Sequence, residues 1–259
     1  AYLNMAPSQT LKWVEAGKDP SRQNVEIEGT EPYIVGGHTA SGYWVDTNRQ
    51  TTINGLYAAG DVAGGCPQKY VTGAMVEGEI AALDMIKKLD EEGGNKNIKA
   101  TDENDRKAFD EKVNEYNSFL AGKTQQFTTE AIEEAMQKVM DNYAGGISTH
   151  YQFNEKQLEL ADEKIRQLIR LVDGLHADDM HDLMFVYELK ERLTVCLSVI
   201  AHLGARKETR WHSFAENLDH PDKSDEWMKY VNSKYIDGKL QIIYRDLVGR
   251  EAHYEHNDR

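Results

Sequence analysis

Leu158, Ala161, Ile165, Leu168, Ile169 and Val172 recur at helical intervals, and so do Val186, Leu189, Leu193, Cys196, Ile200 and Leu203. That spacing puts each set on one face of an α-helix; neither set fits the two-residue alternation of a strand. Gly174 follows the first stripe and Gly204 ends the second, where glycine terminates a helix at little cost. The pair predicts two long antiparallel helices packed through their stripes. Upstream, Thr128 and Thr129 followed by Glu133 give a capping signal for a further helix ending near residues 143–146. A short run, Leu240–Tyr244, reads as a final strand.

The first ninety or so residues are written differently: Gly, Thr, Tyr and Val dominate, with short strand-like runs between glycines. Val25–Glu28 alternates with period two, while Tyr33–Val35 and Gly55–Gly60 read as short buried strands ended by glycine. A helix is expected from about Thr72 to Leu89, with Met75, Ile80, Leu83 and Ile86 as its apolar positions. The stretch 91–106 is polar and reads as an exposed connection.

A formal charge of −14 argues against general nucleic-acid binding, which needs clustered Lys and Arg. No apolar run approaches the ~18 residues of a membrane span, and residues 1–10 lack the pattern of a signal peptide. Cys66 and Cys196 are the two cysteines, too few for an iron–sulfur cluster held by this chain alone and in keeping with a reducing cytoplasm. Ala1 opens in what reads as mid-domain sequence, as in a piece of a longer protein. His176 and His181 are five apart, which is not the spacing of a helical metal pair, and no metal site is expected.

The segment richest in chemistry is Thr51–Asp61. A strand ending in Ala59-Gly60-Asp61 lets a dinucleotide approach the backbone, because glycine has no Cβ in the way. The carboxylate that follows can accept hydrogen bonds from ribityl or ribose hydroxyls. The helix beginning near Val71-Thr72-Gly73 can aim its amino end at a flavin pyrimidine ring, stabilising charge on the reduced ring. On spacing alone, a buried strand, turn and helix of any α/β protein reads the same way.

Gly55-Leu56-Tyr57-Ala58-Ala59-Gly60-Asp61 closely resembles the second FAD fingerprint of the fumarate reductase and succinate dehydrogenase flavoproteins. Ala205–His212 resembles their Arg-x-Glu-Ser-Arg-Gly-x-His signature, and His220–Trp227 continues it. Within that superfamily, Glu31–His38 and the following Thr39–Asp46 look like the carboxy-terminal portion of dissimilatory adenylylsulfate reductase alpha subunits. Dicarboxylate enzymes usually carry His-Tyr-x-Met-Gly-Gly there; this chain has Pro32 in place of the His, and adds His38 after Gly36 and Gly37. The loop Gly64–Gly73 is also shorter than its dicarboxylate counterpart.

The resemblance implies an α/β FAD-binding domain remnant followed by a mostly α-helical C-terminal domain, α+β overall. Residues 1–35 would end a capping or substrate domain and 36–90 would be the last part of the FAD-binding domain; 91–106 connect it to a helical domain over 107–235, with a tail over 236–259. It implies reversible two-electron reduction of adenylylsulfate to sulfite and AMP through a flavin N5–sulfite adduct. In that chemistry His38 is the catalytic and substrate-binding donor on the sulfo group, with Lys69 and Trp44 as further substrate contacts. Gly36, Gly37, Gly60, Asp61, Val71, Thr72 and Gly73 would hold FAD, while Arg206, Glu208 and Arg210 would form a structural ion-pair cluster tying the helices to the flavin domain. The family pairs this subunit with a ferredoxin-like beta subunit carrying two [4Fe–4S] clusters, the alpha–beta pair being the unit of any higher oligomer. No Gly-x-Gly-x-x-Gly motif is present, so this piece alone is expected to retain FAD poorly. Two other functions fit less of the sequence: a related flavoenzyme acting on a dicarboxylate or an amino acid, and a non-catalytic helical interaction module.

Overall fold

The computed structural model describes residues 7–25, 42–65, 71–91, 103–122, 127–210, 215–236 and 239–247. The strand expectations over residues 26–28 and 33–35 lie outside them. Among the described residues the helices are α1 (Pro7–Glu15), α2 (Val71–Glu91), α3 (Glu103–Leu120), α4 (Thr129–Tyr143), α5 (Glu155–Val172) and α6 (Met180–Ala205). The strands are β1 (Gln152–Phe153), β2 (Glu216–Asn217), β3 (Lys229–Ile236) and β4 (Lys239–Asp246).

The two predicted stripes form the core. Leu158, Ala161, Ile165 and Val172 of α5 meet Val186, Leu189, Leu193, Cys196 and Ile200 of α6, all buried. Ile132, Met136 and Val139 of α4 and Phe119 of α3 close the same cluster. The starts of α4, α5 and α6 are fixed locally. Thr128 accepts from the Ala131 N–H at 3.2 Å, as its sequence signal predicts. Asn154 and Gln157 make a reciprocal capping box at α5, and Asp179 accepts from the His181 and Asp182 N–H groups at α6. The connection expected over 91–106 is bounded more tightly, because α2 extends to Glu91 and α3 begins at Glu103, with two acidic side chains in its first turn.

The predicted strand at 240–244 is the centre of β4, which pairs antiparallel with β3 from Lys229↔Asp246 to Ile236↔Lys239. The carboxy-terminal segment is therefore half of a hairpin packed on α6, with the Tyr244 hydroxyl 3.2 Å from the Ala205 carbonyl. β1 and β2 form a two-residue parallel pair that brings the 215–220 segment to the start of α5, where Asp219 accepts from the Glu155 N–H at 2.7 Å.

The Arg206, Glu208 and Arg210 cluster forms as expected. Glu208, with no exposed side-chain surface, accepts from Arg206 Nη1 at 2.7 Å and from Arg210 Nη2 at 2.8 Å. Its reach differs from the expectation, because the remaining donors serve the 224–229 segment. Arg206 donates to the Trp227 and Lys229 carbonyls, Arg210 to the Ser224 carbonyl, and the Ser224 N–H donates to Glu208. The cluster ties the end of α6 to the start of the hairpin. The hairpin in turn touches the amino-terminal segment through Arg245, whose guanidinium lies 3.6 Å from the centre of the Trp44 ring.

Candidate functional site

Residues 42–63 fold as a looped segment lying against α2. Asp46 Oδ1 accepts from the Asn48 and Gln50 N–H groups at 2.9 Å each, closing a tight turn. The chain then returns through the bridges Val45↔Thr51 and Gln50↔Tyr57. Gly55–Gly60 is thus not the continuous strand expected from its composition. Its described partner is this single bridge at Tyr57, and Leu56 is exposed; without a neighbouring ladder a strand has nothing to propagate on.

Two glycines explain how the segment closes. Gly42 has φ +148°, and a Cβ there would stand 2.5 Å from both the Ala63 carbonyl carbon and the Gly64 nitrogen. The space it leaves allows the Tyr43 N–H to reach the Val62 carbonyl at 2.7 Å and the Gly64 N–H to reach the Tyr43 carbonyl at 2.8 Å. Gly60 has φ +73° and opens a 3-10 turn over Gly60–Val62, with Ala74 of α2 directly behind it; an added Cβ would meet Ala74 Cβ at 3.1 Å. The turn and the first turn of α2 are therefore held face to face. Asp61 is exposed on one side, and Val71 and Thr72 are exposed on the other. The first N–H groups of α2 have no acceptor within the helix and carry the positive end of its dipole.

The face of α2 that packs here is polar. Of the expected apolar positions, Met75, Leu83 and Ile86 are 71%, 60% and 56% exposed and Ile80 is half-buried, whereas Glu77 and Ala81 are buried. The reason lies in the loop, whose polar groups need partners once water is excluded. Glu77 Oε2 accepts the Gly60 N–H at 2.9 Å, and Glu77 Oε1 lies 3.1 Å from Arg49 Nε. Two turns on, the Tyr57 hydroxyl donates to Asp84 at 2.6 Å, while Lys88 reaches Asp84 at 2.7 Å, the Tyr57 oxygen at 3.0 Å and the fully buried Gln50 at 2.8 Å. Burial raises the Tyr57 hydroxyl pKa and its bond to Asp84 adds to this, so it stays a neutral donor. Burial opposes ionisation of Asp84 and Lys88, but their mutual bond and the Tyr57 contact outweigh it, holding Asp84 low and Lys88 high.

Of the residues expected at a flavin and substrate site, Gly60, Asp61, Val71, Thr72 and Gly73 come together at this junction. His38, Gly36, Gly37 and Lys69 lie outside the described residues, as does Cys66. Trp44 is half-buried beneath Arg245, so one ring face is already occupied by a guanidinium. Sequence reasoning missed Arg49, Gln50, Glu77, Asp84 and Lys88; the available signal was Glu77, Asp84 and Lys88 falling on one helical face beside Ala81. His176 hydrogen-bonds the Phe119 carbonyl at 2.9 Å and contacts Asp178, and among the described residues no His, Cys, Asp and Glu group suits a metal. Among those residues, too, no helix is long and apolar enough to cross a membrane.

No family model matches the chain. It is 26% identical to the adenylylsulfate reductase alpha subunit of Megalodesulfovibrio gigas over 93% of its own length and 40% of that protein. It is 30% identical to an uncharacterised FAD-dependent oxidoreductase of Methanocaldococcus jannaschii over 76% of its length and 35% of the relative. The chain thus spans about two fifths or less of the curated relatives it matches. The adenylylsulfate reductase structure from Archaeoglobus fulgidus superposes with a TM-score of 0.83 at 30% identity, over 96% of this chain and 43% of that one. An adenosine-5-phosphosulfate reductase in complex with sulfite as a covalent adduct superposes with a TM-score of 0.75 at 29% identity, with the same shares of 96% and 43%. An Escherichia coli quinol fumarate reductase shares the fold, with a TM-score of 0.71 at 18% identity over 95% of this chain and 42% of that one. Over most of its length the chain is similar to the adenylylsulfate reductase alpha subunit, and it has the fold common to the adenylylsulfate reductase and fumarate reductase structures.

Proposed function

We propose that the chain is the carboxy-terminal part of an FAD-dependent adenylylsulfate reductase alpha subunit, catalysing reversible two-electron reduction of adenylylsulfate to sulfite and AMP. The observation that carries the reading is the junction of Asp61 with the first turn of α2, in a chain similar to that subunit over 93% of its length. The groups present suit FAD. A carboxylate accepts from ribityl hydroxyls, and backbone N–H groups at a helix start donate to the electron-rich edge of the ring. When bound, FAD supplies the two-electron chemistry.

Around it, Gly36, Gly37 and Gly60 allow close approach of the backbone, and Val71, Thr72 and Gly73 contribute the helix-start donors. His38 donates to the sulfo oxygens, where charge gathers as the S–O bond breaks, and Lys69 offers a second cation. Trp44, which lies against Arg245, is a further substrate contact. Electrons come from a partner subunit with two [4Fe–4S] clusters, since such a cluster normally takes four thiolates and this chain has two cysteines, of which Cys196 is buried in the helical core. We place the complex in the cytoplasm, with alpha–beta pairs as its assembly unit.

The test is the visible spectrum of the full-length complex, with sulfite added first and AMP second. Bleaching of the flavin band by sulfite, with further reduction on adding AMP, is the expected result. A flavin that ignores sulfite but bleaches with succinate would move the protein to the dicarboxylate branch, and absence of flavin would leave only an interaction module.

A further inference from the structure

Glu77 sits in the second turn of α2, 5% exposed, on the helix face that meets the 42–63 segment. An apolar residue is the usual occupant of such a position; a buried carboxylate persists there only when fully partnered. Its partners are specific: one oxygen accepts the Gly60 N–H, and the other lies 3.1 Å from Arg49 Nε as an ion pair that is not aligned as a hydrogen bond. Arg49 itself is held at φ +70°, a left-handed conformation that favours Gly or Asn and strains an arginine backbone. Its backbone is fixed there by the Arg49 N–H to the Asp46 carbonyl at 3.1 Å and by the Ala58 N–H to its own carbonyl at 3.0 Å. Its guanidinium also donates to the Asp46 and Thr47 carbonyls at 3.2 and 3.3 Å. A strained backbone and a buried acid thus meet at the turn that presents Asp61.

We infer that Glu77 and Arg49 form a positioning pair for the flavin junction, Glu77 as the acceptor that sets the Gly60–Asp61 turn against α2 and Arg49 as the countercharge that keeps the junction neutral. The inference rests on the flavoenzyme reading above. The two roles separate chemically. Glu77→Gln keeps an oxygen for the Gly60 N–H but leaves the Arg49 charge uncompensated, whereas Glu77→Ala removes the acceptor as well. A lone, half-buried cation acting across about one or two helical turns favours a nearby anion by about three- to tenfold.

The experiment uses the full-length complex and reads three quantities: FAD content after gel filtration, the sulfite concentration that half-bleaches the flavin, and hydrogen exchange of a peptide spanning residues 57–63. E77Q is expected to keep its FAD and its slow exchange, and to bind sulfite about three- to tenfold more tightly. E77Q combined with R49M, which restores neutrality, is expected to return sulfite affinity to within about twofold of wild type. E77A is expected to exchange faster over 57–63 and to lose FAD on dilution. The inference is overturned if E77Q and E77A lose FAD alike, if E77Q leaves sulfite affinity unmoved, or if adding R49M fails to reverse the gain. Wild-type protein with no flavin, or with a flavin that ignores sulfite, instead overturns the reading on which the inference depends.

Discussion

Replacing Glu208 by glutamine should cost the helical unit much of its margin of stability. The carboxylate has no exposed surface and binds two guanidinium groups and the Ser224 N–H. Removing one partner of such a buried pair costs about 3–5 kcal/mol, chiefly because the remaining charge loses its partner. Here both arginines keep carbonyl acceptors and are 32% and 23% exposed, so water screens part of the loss and about 2–4 kcal/mol is expected. Urea unfolding followed by tryptophan fluorescence is a suitable assay, because Trp227 lies against Arg206 and Tyr244. With a slope on the order of 2–3 kcal/mol/M, the midpoint should fall by about 1 M. Glu134→Gln is the control: its pair with Lys138 is 66% exposed on both sides, where water screens the attraction, and the midpoint should stay where it is in wild type. The reasoning is refuted if E208Q shifts the midpoint no more than E134Q does. Acid offers a second reading of the same contact. Burial pushes the Glu208 carboxyl up, but the bonds from Arg210, Ser224 and Arg206 outweigh it and hold its pKa below the ordinary glutamate value. This stability is therefore present above the unfolded-state pKa and is lost as pH falls through the folded one.

Three further outcomes are expected. Glu115, held at a pKa of about 2 by hydrogen bonds from Lys112 and Lys190, should contribute stability that is complete above pH 4.5 and fades toward pH 2. E115Q should accordingly flatten the dependence of Tm on pH in that window. Leu193→Ala, at a fully buried position between α5 and α6, should destabilise by about 2–5 kcal/mol in chemical denaturation. Gly42→Ala should cost about 1–3 kcal/mol and release FAD from the full-length complex, because its Cβ would stand 2.5 Å from the backbone of residues 63 and 64; a melt with a flavin fluorescence reading would show both.

The helical half was legible because its information is local and periodic. The stripes of α5 and α6, the Thr128 cap and the final strand follow from spacing alone. The junction near Asp61 was legible only as a short motif. Its glycines marked where the backbone must bend or pass close, but not what it would pack against. The misread feature was the working face of α2. Hydrophobicity pointed to Met75, Leu83 and Ile86, while the contacting side is Glu77, Ala81, Asp84 and Lys88. That side is polar because the opposing loop offers unpaired backbone and side-chain donors, which only the folded arrangement makes apparent. Likewise β3 hides in a segment read as the end of the helical domain, because its pairing is set by β4, which begins three residues after β3 ends.

The central claim concerns the reaction, and the most direct measurement is product stoichiometry in the full-length complex. With reduced methyl viologen as donor, adenylylsulfate should be converted to sulfite and AMP in equal amounts, with two electrons consumed per molecule and no turnover of fumarate. Consumption of fumarate instead, or electron uptake without release of sulfite, would contradict the assignment.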